Sequence, residues 1–278
     1  MTPITLGLII GNRGGFPDTL CESARATMLG VLKEEGVATV GLGPQDTKFG
    51  SVQTLDDAEK CGQLFKHHTG EIDGVLVTLP NFGDEKAVAN SIRFSGLNVP
   101  VLVHAFPDDM GKMGFTDRRD SFCGKISVCN NLGQYDIPFT LTSLHTVDPL
   151  SESFRLDLRR FVATCRVVKG LRRVRIGALG ARPVAFNTVR YSEKILEQVG
   201  VSVETLDLSE VVGRADKLSD GDPAVVTKRE AIKGYAEVSH VPGSVINRMA
   251  KFGVIVDAWV ADNRLNATAI QCWTALQE

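Results

Sequence analysis

The chain has 278 residues, of which 43% are hydrophobic and 23% are charged, a balance typical of a soluble globular protein with a sizeable core. This length is too great for one typical domain and suits two. The formal net charge of −2 at pH 7 argues against a nucleic-acid-binding protein, which would carry a basic face.

The first apolar run, from Ile4 to Ile10, has no positive charge before it and is too short for a signal-peptide core or a membrane span. It predicts a buried strand of a parallel sheet. The 6 cysteines are scattered and form no CxxC pair, which in a long chain without a secretion signal predicts reduced thiols. We therefore expect a cytoplasmic protein with no membrane partner.

Short apolar runs alternate with amphipathic segments of helical length through the first half of the chain. The runs predict strands at Ile4–Ile10, Val37–Leu42, Gly74–Leu79 and Val99–Ala105, with helices at Leu20–Glu34, Leu55–His68 and Glu85–Phe94. A polar loop (107–120), a helix (121–132), a short strand (139–142) and a long helix (151–169) should follow. This alternation predicts a parallel sheet covered by helices.

The same pattern restarts after residue 170. We expect strands at 174–179, 201–206 and 267–272, helices at 188–198, 224–238 and 245–260, and a solvated turn-rich segment at 208–223. Residues 254–259 alone resemble a strand, but Met249, Phe252, Val256 and Trp259 fall at helical spacing and favour a helix. A helix would only be beginning at Glu278, so we expect the second domain to be incomplete.

The predicted fold class is therefore α/β, with two consecutive parallel-sheet domains of the Rossmann or flavodoxin-like kind. Their expected bounds are 1–170 and 171–278. The chain lacks both a P-loop and the G-x-G-x-x-G signature, since the glycine turn here is Gly177-Ala-Leu-Gly180. No histidine pattern indicates zinc, and we predict no metal ligands. A Cys–His nucleophile stays open, with Cys123 or Cys129 beside His104 or His145.

Several turns follow predicted strands, where open α/β folds bind ligands. Arg182 follows strand 174–179 and places a cation beside free backbone N–H groups at a helix start, where Asn187 or Thr188 is the expected N-cap. Arg13 lies in the glycine-rich turn after the first strand, as a donor to an anion or a hydroxyl. The alternative for Arg13 is a plain strand-to-helix turn.

Two further turns combine an amide with an aromatic ring. Asn81 and Phe82 follow the third strand, where Phe82 offers a face for a sugar ring; the alternative is a helix-capping loop. Gln271 and Trp273 end the last strand, a pairing that suits carbohydrate hydroxyls and C–H faces, although a buried Trp is the commoner fate.

Two of these stretches carry a family resemblance. They are Gly177-Ala-Leu-Gly-Ala-Arg-Pro183, leading to Phe186-Asn187-Thr188, and the closing Ala269-Ile-Gln-Cys-Trp273. Together with the opening strand and its arginine–glycine turn, they make the whole chain resemble the N-terminal portion of the L-fucose/L-arabinose isomerase-like family. The resemblance implies a manganese-dependent ketol-isomerase that interconverts aldoses and ketoses through an enediol. It also implies two N-terminal α/β domains, a C-terminal domain and homo-oligomers with shared active sites.

The resemblance also assigns roles to residues. Arg13 matches a substrate-contacting arginine, Gln271 matches a sugar-contacting glutamine, and Asn81 or Phe82 falls where the family places an aromatic from the neighbouring subunit. The family's metal ligands, two carboxylates and a histidine, lie C-terminal to the segment that matches Gln271–Trp273. We therefore expect no catalytic or metal-binding residue in this chain, no Mn²⁺ bound by it alone, and an inactive N-terminal part of a sugar isomerase.

Two other functions remain open from the sequence. A non-catalytic cytoplasmic sugar-binding or regulatory module would also use two α/β lobes around a ligand. A cysteine-based racemase with two α/β lobes would rest on Cys123 or Cys129 alone.

Overall fold

The computed structural model describes residues 3–273 together with residue 276. The chain divides into two compact units, Met1–Lys169 and Gly170–Glu278. Each unit contains its own parallel sheet, here named sheet A and sheet B.

Sheet A has six strands in the order β2-β1-β4-β5-β6, with β3 paired to β1, and its strands pair in parallel. The elements in chain order are β1 Thr5–Gly11, α1 Thr19–Glu34, β2 Ala38–Gly41, β3 Ser51–Val52, α2 Leu55–His67, β4 Gly74–Leu79, α3 Glu85–Ser95, β5 Val101–Ala105, α4 Ser121–Gln134, β6 Thr140–Leu141 and α5 Glu152–Leu171.

Helices cover both faces of sheet A, which explains why β4 and β5 are buried along their whole length. Met28 of α1 and Phe154 of α5 belong to the core on one face. Phe65 of α2, Val88 of α3 and Val128 of α4 belong to the core on the other. The chain leaves the adjacent strands β1 and β4 toward opposite faces, since α1 and α3 pack into different cores. The carboxyl ends of two such strands are where open α/β sheets bind ligands.

Sheet B has three parallel strands in the order β8-β7-β9. Its unit contains β7 Val174–Leu179, α6 Glu193–Gln198, β8 Val201–Leu206, α7 Leu208–Ala215, α8 Pro223–Tyr235, α9 Gly243–Asp262 and β9 Ala267–Ile270. Its core joins Leu179 of β7, Val211 of α7 and Trp259 of α9.

The predicted α/β class with parallel sheets is confirmed, as is the helix across 254–259, which lies within α9. The prediction of a solvated, turn-rich segment at 208–223 was wrong for its first part, because Leu208–Ala215 forms helix α7. Asp207 is the N-cap of α7, and its carboxylate accepts a hydrogen bond from Ser209 N. Val211 of this helix is fully buried. Tertiary burial here outweighs the turn-rich composition.

The helix predicted over 188–198 was too long, and its predicted N-cap was wrong. Asn187–Val189 forms one turn of 3-10 helix, and α6 begins only at Glu193 after Ser192. No residue of α6 is buried, so packing does not extend this helix toward its N-terminus.

In the described part of the chain, no helix combines the length and the apolar character that crossing a bilayer requires.

Candidate functional site

The turns after β1 and β4 are joined through buried amide side chains. Asn81 Nδ2 donates to Asn12 Oδ1 over 2.7 Å, and Asn12 Nδ2 donates to Gln53 Oε1 over 2.8 Å. Asn81 Oδ1 accepts from Gly83 N at 3.1 Å, and the Asn81 residue is fully buried. Since unpaired buried amides are costly, this chain of bonds fixes the shape of both turns. Asn81 thereby supports the turn that carries Phe82.

Two arginine–phenylalanine pairs lie above these amides. The Arg13 guanidinium carbon lies 4.7 Å from the centre of the Phe82 ring, and Arg118 lies 5.2 Å from the centre of the Phe16 ring. The two rings are 5.7 Å apart. We call Arg13, Phe16, Phe82 and Arg118 the arginine–phenylalanine platform. It offers ring faces for sugar C–H groups and N–H donors for hydroxyls or anions.

Glu85, in the first turn of α3, orients Arg13. Its Oε2 atom lies 2.6 Å from Arg13 Nη1, and the two side chains are 37% (Arg13) and 32% (Glu85) exposed. This contact holds one edge of the guanidinium while the group stays partly open to solvent. Arg13 and Phe82, both predicted as ligand contacts, therefore lie together at the carboxyl edge of sheet A.

His104, at the end of β5, is fully buried and is not available for proton transfer. Its Nε2 atom lies 2.8 Å from the Val147 carbonyl, which can only accept, so Nε2 carries the proton and Nδ1 accepts from the Thr78 hydroxyl at 2.7 Å. Burial, together with a smaller effect of the Lys125 charge, lowers the pKa of His104 to about 3 despite the bond to Val147. Neutral His104 of β5 therefore links Thr78 of β4 to Val147 in the segment before α5 by hydrogen bonds.

Helix α4 contributes two residues that sequence reasoning missed. Gly124 packs against the Phe82 carbonyl so closely that a Cβ atom would overlap it. Lys125 is fully buried, and its Nζ donates to Thr142 Oγ1 and to the His145 carbonyl, each at 2.7 Å. Burial lowers the pKa of Lys125 to about 8. Nothing in the local sequence signals either role, because their partners lie far along the chain.

The other three predicted residues gather in the second unit. Gln271 Oε1 accepts from Ala181 N at 2.9 Å, and Gln271 Nε2 donates to the Trp273 carbonyl at 2.7 Å. The Trp273 ring lies edge-on to Phe186 with the ring centres 4.7 Å apart, and it is 47% exposed. Arg182 Nη1 donates to the Pro183 carbonyl at 3.0 Å, so this guanidinium folds back on its own turn. These contacts assemble an amide and an aromatic ring at the carboxyl edge of sheet B.

The described residues do not fit a manganese site, because no group of three His, Cys, Asp or Glu side chains among them could hold a metal ion. No hydrogen bond joins Cys123 or Cys129 to His104 or His145 within the described residues. Burial raises the pKa of Cys129 to about 11, while both ring nitrogens of His104 are already bonded. His145 Nε2 is bonded to the Phe122 carbonyl at 2.9 Å.

Comparison with known proteins identifies the first unit. A sequence model described as "Fucose/sulfoquinovose isomerase, N-terminal domain" matches residues 7–172, more than half of the chain. The sulfoquinovose isomerases of Priestia aryabhattai and of Priestia megaterium (strain ATCC 12872 / QMB1551) are each 24% identical over 204 residues. The matched stretch covers 73% of this chain and 44% of each relative, so the chain spans less than half of their length. The family resemblance predicted from the sequence is thus confirmed, and the chain belongs to the fucose/sulfoquinovose isomerase family, whose N-terminal domain it carries at residues 7–172.

Proposed function

We propose that this chain is the sugar-binding N-terminal part of an aldose–ketose isomerase. The observation that carries the proposal is the arginine–phenylalanine platform at the carboxyl edge of sheet A, in a unit that belongs to a sugar isomerase family. Open parallel sheets bind ligands at this edge. The relatives' name adds sulfoquinovose as the first substrate to test.

In this proposal Phe82 and Arg13 contact the sugar directly. The half-buried Phe82 ring would lie against the C–H face of the sugar, and the guanidinium of Arg13 would donate to a hydroxyl while Glu85 holds its other edge. Within the second unit, taken by itself, we propose Gln271 and Trp273 as sugar contacts and Arg182 as a cation beside them. Asn81 acts by fixing the Phe82 turn.

The metal-assisted enediol chemistry that the resemblance implies would come from residues outside this chain. The described residues supply no ligand set for Mn²⁺, so we assign them binding and orientation only. We therefore propose that the 278 residues alone do not turn over sugar. A cytoplasmic location and a homo-oligomer with shared sites, as expected from the sequence, belong to the same proposal.

The experiment is a calorimetric titration of the 278-residue chain with sulfoquinovose, together with an aldose–ketose assay in Mn²⁺. We expect binding without turnover. Arg13→Gln and Phe82→Leu should each weaken binding by about tenfold, equivalent to about 1.4 kcal/mol. The matched controls are Arg166→Gln, on the exposed side of α5, and Phe115→Leu, whose side chain is 83% exposed.

If all four variants bound sulfoquinovose with equal affinity, the arginine–phenylalanine platform would not be part of the sugar site. Turnover by the 278 residues would contradict the assignment of the chemistry to residues outside the chain. The alternative, a non-catalytic sugar-binding or regulatory module, predicts binding by this chain and no isomerisation by the longest natural form of the protein.

A further inference from the structure

Arg119 is a half-buried cation at the same edge of sheet A, in the loop between β5 and α4. Its Nη1 donates to the Pro80 carbonyl at 2.7 Å, and its guanidinium carbon lies 5.2 Å from the centre of the Phe106 ring. Pro80 begins the turn that carries Phe82. Arg119 is therefore tied to the turn of the proposed sugar site through a neutral acceptor.

The carboxylates near Arg119 are engaged elsewhere. Asp108 accepts from Ser121 N and Phe122 N, each at 2.9 Å, at the start of α4. Asp109 accepts from Gly111 N at 2.9 Å, and Asp120 pairs with Arg118. Within the described residues, Arg119 makes no ion pair, although the platform arginines Arg13 and Arg118 each make one.

This arrangement leaves part of a half-buried guanidinium without a protein partner among the described residues. Burial lowers the pKa of Arg119 from its ordinary value, and the more distant Asp108 offsets only part of that effect. The Nε and Nη2 atoms have no protein acceptor among the described residues, and neither is among their fully buried unpartnered atoms. Since a partly desolvated cation is stabilised by a contacting anion, the free edge of this guanidinium suits an anionic ligand.

We propose that Arg119 binds the anionic substituent of the sugar, a sulfonate, through the two N–H groups that the protein leaves free. The proposal rests on the proposed function, because it places this substituent on the sugar that contacts Phe82 and Arg13. A planar guanidinium matches two oxygens of a tetrahedral oxyanion. The three nearby carboxylates, Asp108, Asp109 and Asp120, disfavour a dianion, which selects a sulfonate over a phosphate monoester.

The test compares three ligands by calorimetry on the 278-residue chain: sulfoquinovose, glucose with a neutral hydroxyl in place of the sulfonate, and glucose 6-phosphate. We expect sulfoquinovose to bind about tenfold more tightly than glucose, with the preference reduced at high salt. Arg119→Gln should remove the preference, so that sulfoquinovose and glucose bind with equal affinity, whatever change in glucose affinity follows from the altered contact with Pro80. Arg119→Lys should retain part of the preference, and the exposed control Arg166→Gln should retain all of it.

The outcomes separate the two proposals. Loss of the preference in an Arg119→Gln variant that still binds glucose supports the assignment, and the retained glucose binding shows that the variant is folded. Glucose binding without any preference for sulfoquinovose overturns the role of Arg119 and leaves the proposed function standing, as does a preference that survives in Arg119→Gln. Tighter binding of glucose 6-phosphate overturns the choice of a sulfonate. Absence of binding by all three sugars overturns the proposed function and this inference with it.

Discussion

At the scale of single residues, the buried histidine of β5 makes the stability of the first unit depend on pH. His104 has its pKa lowered to about 3 in the folded protein, below its ordinary value of 6.5, so only the unfolded chain takes up a proton between these values. The unfolded state then binds more protons, and the free energy of unfolding falls as the pH falls. Between pH 6.5 and pH 3, once the pH is well below 6.5, we expect this residue to lower the unfolding free energy by about 1.4 kcal/mol for each unit by which the pH falls.

Urea denaturation between pH 7 and pH 4 measures this effect. His104→Gln should flatten the pH dependence of the unfolding free energy, since an amide can still donate to the Val147 carbonyl but does not titrate. His67→Gln removes an exposed histidine of α2 and serves as the control. An unchanged slope in His104→Gln would contradict a neutral, buried His104.

Residue roles were predictable where they follow from a strand end. Arg13 and Phe82 come directly after apolar runs, so their shared edge could be read from the sequence, although their role in binding stays a prediction. Arg119 could not be found in this way, because it lies in a polar loop and its acceptor is the carbonyl of Pro80, 39 positions earlier.

At the scale of whole elements, α4 presses its backbone against the turn after β4. Gly124→Ala would place a methyl group into the Phe82 carbonyl, so we expect it to lower the unfolding free energy by about 1–3 kcal/mol. The same change at Gly133, in the same helix, meets no atom within 4 Å and should raise the unfolding free energy by about 0.5–1 kcal/mol through helix propensity.

Urea denaturation of both variants, followed by sugar titration, separates stability from positioning. Gly124→Ala should weaken sulfoquinovose binding under conditions where the variant is still folded, because the Phe82 turn must move. Gly133→Ala should bind as the wild type does. Tight binding by a folded Gly124→Ala variant would show that the Phe82 turn does not need α4 for its position.

Element boundaries were predictable where a strand-like segment is bounded by residues that favour turns. Strands β4, β7 and β8 begin and end at the predicted residues. β4 is mostly apolar, whereas β7 and β8 mix apolar with polar residues, and a proline, a glycine or an aspartate follows each strand and marks its end. Helix α7 was missed because the turn-rich composition of 208–223 outweighed a local helix-start signal, Asp207 followed by Glu210. The burial of Val211 depends on tertiary packing that the sequence does not display. The two-residue strand β3 is too short for any periodicity.

At the scale of the molecule, the two units repeat one arrangement. The order β8-β7-β9 in sheet B matches the order β2-β1-β4 in sheet A. In each unit the predicted contact residues follow the second and third strands of that order. Alternating apolar runs predict such sheets, but the sequence alone does not reveal which hydrogen bonds hold the turns.

The predicted bounds of the two domains and the predicted incompleteness of the second domain stay predictions.

The sugar is proposed to bind at the carboxyl edge of sheet A. The most direct measurement is amide chemical-shift mapping of the isotopically labelled 278-residue chain during titration with sulfoquinovose. We expect the largest changes at Arg13, Phe82 and Gly83, which the buried amides join into one site. Saturation with sugar while the resonances of these residues stay unchanged would contradict the account.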